Sequence, residues 1–181
     1  MSSVRNLVDS LKGRLAAFGY GECENAEIGD LTLAALLAAP GRRGRLFCAV
    51  ADLPENVADA DGAMRFVGGI RRALSRAYAG FPWPKRVGTY TILLGRGEVC
   101  RQLRGHEGRL IDSDGLHVNV LLGTVLVDVE THQAHSDTTW GLMDTGDQFR
   151  AIQAAVEEWC RQSRRQGRQV WRAAGRILRV A

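Results

Sequence analysis

The sequence predicts an α+β fold: a mainly antiparallel sheet of about five strands flanked by helices, opening with an N-terminal helix and closing with an amphipathic C-terminal one. Three observations carry this. Apolar residues recur at helical spacing near both ends and once in the first half. Apolar runs of strand character fill residues 45–52, 86–94 and 116–130. No linker, repeat or low-complexity tract divides the 181 residues. The chain therefore reads as one domain, 1–181, with residues 164–181 as a basic helical appendage.

Taken in order, Ser2 to Ala17 places Val4, Leu7, Val8, Leu11 and Leu15 on one helical face, and Gly19-Tyr20-Gly21 ends the helix. Residues 31–39 are rich in alanine and leucine, which favour helix, yet Gly41-Arg42-Arg43-Gly44 is a hairpin-like turn. The hairpin is preferred, because Arg45–Asp52 is a buried strand that needs a neighbour. Asp59 to Ala79 forms a helix with Met64, Val67, Ile70, Leu74 and Tyr78 in one stripe, stopped by Phe81-Pro82-Trp83-Pro84. Arg86–Leu94 is a strand, Glu98–Arg104 a short helical turn, and Asp112-Ser113-Asp114-Gly115 a turn into a long β segment, Leu116–Glu130.

That last segment changes parity. Val118, Val120 and Leu122 are apolar before Gly123, and Val125, Val127 and Val129 after it. A regular strand would turn its core face to solvent there, so Gly123 marks either a β-bulge or a tight reversal. Either device places His117 and Asn119 on the same polar sheet face as Asp128 and Glu130. A polar loop, Thr131–Thr139, then leads to an edge strand at Trp140–Met143. Thr145 or Asp147 caps a helix reaching about Arg161, and a second helix spans Arg168 to Val180.

Composition narrows the function. A 45% hydrophobic and 24% charged chain is globular rather than disordered. No apolar run reaches membrane-spanning length and Met1–Gly13 lacks a signal-peptide core, so the expectation is a soluble, cytoplasmic protein. Cys23, Cys48, Cys100 and Cys160 form no C-x-x-C pair, which excludes a zinc ribbon and predicts four free thiols. The net charge of +4 is unevenly spread. Arg150–Ala181 holds eight arginines against Glu157 and Glu158, whereas His106–Asp147 holds eight carboxylates against one arginine.

All four histidines fall within that acidic window. Carboxylates and imidazoles are ligands for divalent metals, and a bound cation relieves their mutual repulsion. The candidate metal ligands are His117, Asp128, Glu130, His132 and His135, with a divalent metal as the candidate cofactor. The arrangement Asp114…Asp128-Val129-Glu130 has the outline of a metal-dependent nuclease core of the PD-(D/E)xK type. The chain departs from it where Glu130 occupies the lysine position, and no lysine follows Lys85. His132-x-x-His135 lacks the i, i+4 spacing of a zinc-protease helix. Solvated polar residues on a sheet face and loop produce the same composition, and that reading prevails. There is no G-x-S-x-G nucleophile, P-loop or dinucleotide fingerprint, so the sequence leans against an enzyme.

The C-terminal segment is more distinctive. At 100° per residue, Val170, Ala174, Ile177, Leu178 and Ala181 fall on one side and Arg165, Arg168, Arg172, Arg176 and Arg179 on the other. The first functional expectation is a non-enzymatic binding or interaction domain that uses this helix to contact a protein partner or a second copy. The alternatives are a metal-dependent, nuclease-like hydrolase with an Asp/Glu/His site on the sheet, and nucleic-acid binding through the arginine face.

Overall fold

The structure, a computed structural model, describes residues 4–41, 44–57, 59–78, 86–103, 119–138 and 146–177. Helix α1 (Val4–Leu15) buries Leu7, Val8, Leu11 and Leu15, and a 3-10 turn (Ala16–Phe18) ends at Gly19 in the left-handed conformation. Short strands β1 (Gly21–Glu22), β2 (Glu27–Ile28) and β3 (Leu31–Thr32) precede β4 (Ala35–Gly41). β4 pairs antiparallel with β5 (Gly44–Asp52), which is the preferred hairpin. Then follow α2 (Ala60–Tyr78), β6 (Arg86–Gly95), α3 (Gly97–Leu103), β7 (Asn119–Asp128), β8 (Gln133–Thr138) and α4 (Gly146–Ile177).

The main sheet is mixed and six-stranded, in the order β1-β4-β5-β6-β7-β8, and β2 pairs with β3 separately. The expected α+β class holds, but the sheet is not mainly antiparallel: β5–β6 and β6–β7 are parallel pairs at its centre. Parallel neighbours need a crossover, and α2 supplies the first of them. The second contains α3. The physical signature is in the strands themselves. β5 is buried from Leu46 to Ala51 with no alternation, as expected for a strand covered on both faces.

Both faces are covered. Leu46, Cys48, Val50, Tyr90, Ile92, Val125 and Val127 join α1 and α4 in one core. Phe47, Ala49, Leu93 and Leu126 join α2 and α3 in the other. Hence Asp128, expected on an open polar face, is 4% exposed, and its β7 neighbour Leu126 is in the α2–α3 core. Helix α2 also buries Arg71, which no apolar stripe could reveal. Its C-terminal Tyr78 packs against Phe47 at 4.8 Å between ring centroids and lies under the Arg45 guanidinium.

Gly123 marks a bulge. Thr89 pairs with Leu121 and Tyr90 with Gly123, so Leu122 is the inserted residue and β7 runs on unbroken. The consecutive residues Leu122 and Gly123 both face the α1–α4 core, which is how the parity flips without exposing either core. Glycine is required because the Phe149 ring lies on it: a Cβ there would sit 2.6 Å from Phe149 Cε2.

Two further expectations are corrected. Residues 133–138, expected within a polar loop, form edge strand β8, paired antiparallel with β7. An edge strand is held by its ladder to one neighbour and tolerates polar side chains, so Gln-Ala-His-Ser-Asp-Thr gives almost no apolar signal. The expected strand at 140–143 lies outside the described residues, as do the 112–115 turn and His117. The two expected C-terminal helices are one, since α4 runs through Gly167 without a break to Ile177. Among the described residues, no helix is long and apolar enough to cross a membrane.

Candidate functional site

Along α4, Phe149, Ile152, Ala155, Val156, Trp159, Cys160 and Ser163 are buried at the 3–4 residue spacing of a helix lying on a sheet. Tyr20 donates to Gln148 Oε1 at 3.0 Å, and Arg14 pairs with Glu158 at 2.6 Å, tying α1 to α4. Gln153 donates to Ser136 Oγ at 2.8 Å across to β8. These contacts fix the first half of α4 against α1 and the β7–β8 hairpin. Between α4 and that hairpin lies an open cleft of about 450 Å³, lined by His132, Ala134, Glu157, Cys160, Arg161 and Arg164 among others.

The hairpin sets His132 in place. Asp128 pairs with Gln133, leaving Val129–His132 as a four-residue connection. The Glu130 and Thr131 N–H groups donate to Asp128 Oδ1 at 2.9 and 3.2 Å, so the buried carboxylate caps its own turn. The connection closes with His132 at φ +52°, the one non-glycine residue with positive φ among those described. Glycine would adopt that conformation without penalty, whereas a side chain there costs on the order of 1 kcal/mol. The His132 ring stands edge-on to Trp159, with centroids 5.8 Å apart. Its Nδ1 is sealed from solvent without a hydrogen-bond partner. Burial and the nearby Arg164 guanidinium lower its pKa against the opposing pull of Asp128, which favours a neutral imidazole.

Four of the five candidate metal ligands fall within the described residues. His117 lies outside the described residues. Asp128 is engaged in the turn. Glu130 leans towards the start of α3, where a Cβ on Gly97 would lie 3.4 Å from Glu130 Oε2. His135 pairs with Leu126 on β7 and, like His132, lines the cleft against α4. Among the described residues, no group of three or more His, Cys, Asp or Glu side chains is placed to hold a metal ion.

What gathers around His132 instead is cationic. Arg161 and Arg164, three residues apart on α4, share a face of the helix. Neither forms an ion pair among the described residues, and both are exposed. These two arginines and Cys160 were not singled out by sequence reasoning, because the histidine that they accompany lies some thirty residues away and only the fold joins them. A second cleft, of about 460 Å³, opens at the carboxyl ends of β5 and β6 and carries Arg96 with Asp52 and Glu55. None of the sequence-predicted residues lines it.

The cysteines are free, as expected. Burial pushes the Cys48 thiol up to about 12 and, against the opposing pull of Arg164, the Cys160 thiol up to about 11. Cys23 is raised more modestly, chiefly by burial, and is only partly covered. Because the thiolate is the reactive form, iodoacetamide near neutral pH is expected to label Cys23 first in the native protein. Cys48, Cys100 and Cys160 should react only on unfolding. Labelling of Cys160 at the rate of Cys23, read by mass spectrometry, would show that the cleft opens down to its floor.

In comparisons with known proteins, the chain matches no family model, no curated protein and no solved structure.

Proposed function

We propose that the protein is a binding domain whose contact element is the arginine-rich C-terminal part of α4, and that its partner is a protein surface, in the first instance a second copy of the chain. The observation that carries this reading is the length of α4. Among its residues up to Gln166, the last buried one is Ser163, and the helical backbone runs on to Ile177, fourteen residues or about 21 Å beyond it. Arg164, Arg165 and Gln166 are exposed, and no acid follows Glu158. The sequence places Arg168, Arg172, Arg176 and Arg179 on one helical face, opposite Val170, Ala174 and Ile177. The acidic window His106–Asp147 of a second copy supplies the complementary charge.

The test is sedimentation of the full chain over a range of concentrations and salt. Mass is expected to rise with concentration, and to stop rising when Arg165, Arg168, Arg172, Arg176 and Arg179 are all changed to glutamine. A monomer at every concentration, with the variant indistinguishable from the parent, would overturn self-association. The same arginine face also supports nucleic-acid binding. That reading predicts affinity for an oligonucleotide that falls steeply with salt, with a slope reduced by about one for each phosphate-contacting arginine removed.

A further inference from the structure

We infer that the cleft between the β7–β8 hairpin and α4 is a binding site for a phosphate monoester, held by Arg161, Arg164 and His132. Three independent features converge there. Two guanidinium groups one helical turn apart face a cavity large enough for a phosphate and part of the molecule bearing it. Neither is occupied by an ion pair among the described residues, although Arg14 and Lys12 on neighbouring α1 are both paired. At the other wall the chain places an imidazole at a position where glycine would be less strained. His132 Nδ1 is enclosed without a partner, so Nε2 is the ring nitrogen left to meet a ligand, and in the Nε2–H tautomer it donates to an anion. Glu157 also lines the cleft, and its carboxylate can accept from a hydroxyl or amine on the same ligand while opposing a second anionic group. A monoester dianion with an uncharged, hydrogen-bonding remainder fits this set better than a polyanion. The inference does not depend on what the distal arginines bind, since Arg161 and Arg164 precede them.

The test is a titration of the full, isotopically labelled chain followed by heteronuclear NMR. The probes are inorganic phosphate, AMP, adenosine and a dinucleoside monophosphate without a terminal phosphate. Phosphate and AMP are expected to shift the signals of His132, Ala134, Cys160, Arg161 and Arg164. Adenosine should not, and the diester should bind more weakly than AMP. Arg161→Gln and Arg164→Gln each lose a charge-assisted contact and should weaken AMP binding about tenfold or more without changing the fold, because both side chains are exposed. His132→Gly keeps the left-handed turn and removes the imidazole, so it should weaken AMP binding while leaving the unfolding midpoint unchanged or higher. The inference is overturned if these variants bind AMP as the parent does, if the diester binds as tightly as AMP, or if the shifts fall on Arg168–Arg176 instead. Loss of AMP binding when Arg168, Arg172, Arg176 and Arg179 are changed to glutamine would overturn it as well.

Discussion

Replacing Phe149 by alanine is expected to remove about 3–5 kcal/mol of folding stability, the usual range for a buried aromatic in a packed core. Phe149 is 5% exposed, stacks on Tyr90 with centroids 5.8 Å apart, and lies directly on Gly123. It joins α4 to the bulge in β7, so the cavity would open between the helix that carries Arg161 and Arg164 and the strand that leads to His132. Gly123→Ala attacks the same contact from below. The new Cβ would need to occupy space 2.6 Å from Cε2 and 2.9 Å from Cδ2 of the ring, which forces the ring or the strand to shift. Overpacking of this kind costs about 1–3 kcal/mol. The two changes are coupled: in the Phe149→Ala background, Gly123→Ala should cost close to nothing, because the ring that excludes it is gone. Denaturant unfolding of the four proteins measures the coupling. Equal costs for Gly123→Ala in both backgrounds would show that backbone geometry, rather than the ring, dictates glycine.

How far the sequence revealed this arrangement depends on the physics of each segment. α1, α2 and the hydrophobic half of α4 were legible because each lies on a core and its apolar stripe is a direct record of that contact. The irregularity at Gly123 was legible because β7 faces a core on one side strongly enough for its parity to show. Strand direction was not: burial on both faces erases the alternation that distinguishes neighbours, and the parallel pairs at the centre emerge only from the crossovers. β8 was missed for the opposite reason, since a polar edge strand owes its place to backbone bonds that any sequence can make. The candidate site was half legible. His132 and His135 stood out by composition, but Arg161 and Arg164, which line the same cleft, were absorbed into a basic helix and are joined to the histidines only by the fold.

Asp128→Ala separates the structural from the metal-binding meaning of the acidic stretch. Asp128 is 4% exposed and its Oδ1 receives the N–H groups of Glu130 and Thr131. Alanine leaves both donors without that acceptor, a loss of about 1–3 kcal/mol, and releases the connection that holds His132 at positive φ. Asparagine retains an oxygen in the same place and should lose clearly less, even though the charge is gone. If the residue instead served a divalent ion, the order would differ. Metal at a hundred times its dissociation constant would raise the parent's unfolding free energy by about 2.7 kcal/mol, and asparagine, a weaker ligand than a carboxylate, would forfeit much of that gain. Thermal unfolding of the parent and both variants, with EDTA and then with Mg²⁺, Mn²⁺, Ca²⁺ or Zn²⁺, decides between them. The turn geometry predicts midpoints ordered parent, asparagine, alanine in EDTA and the same order with every metal. A metal-dependent midpoint in the parent that vanishes in both variants would reassign Asp128 from turn cap to ligand, and would require the hairpin to rearrange, because among the described residues no third donor stands close enough to complete a site.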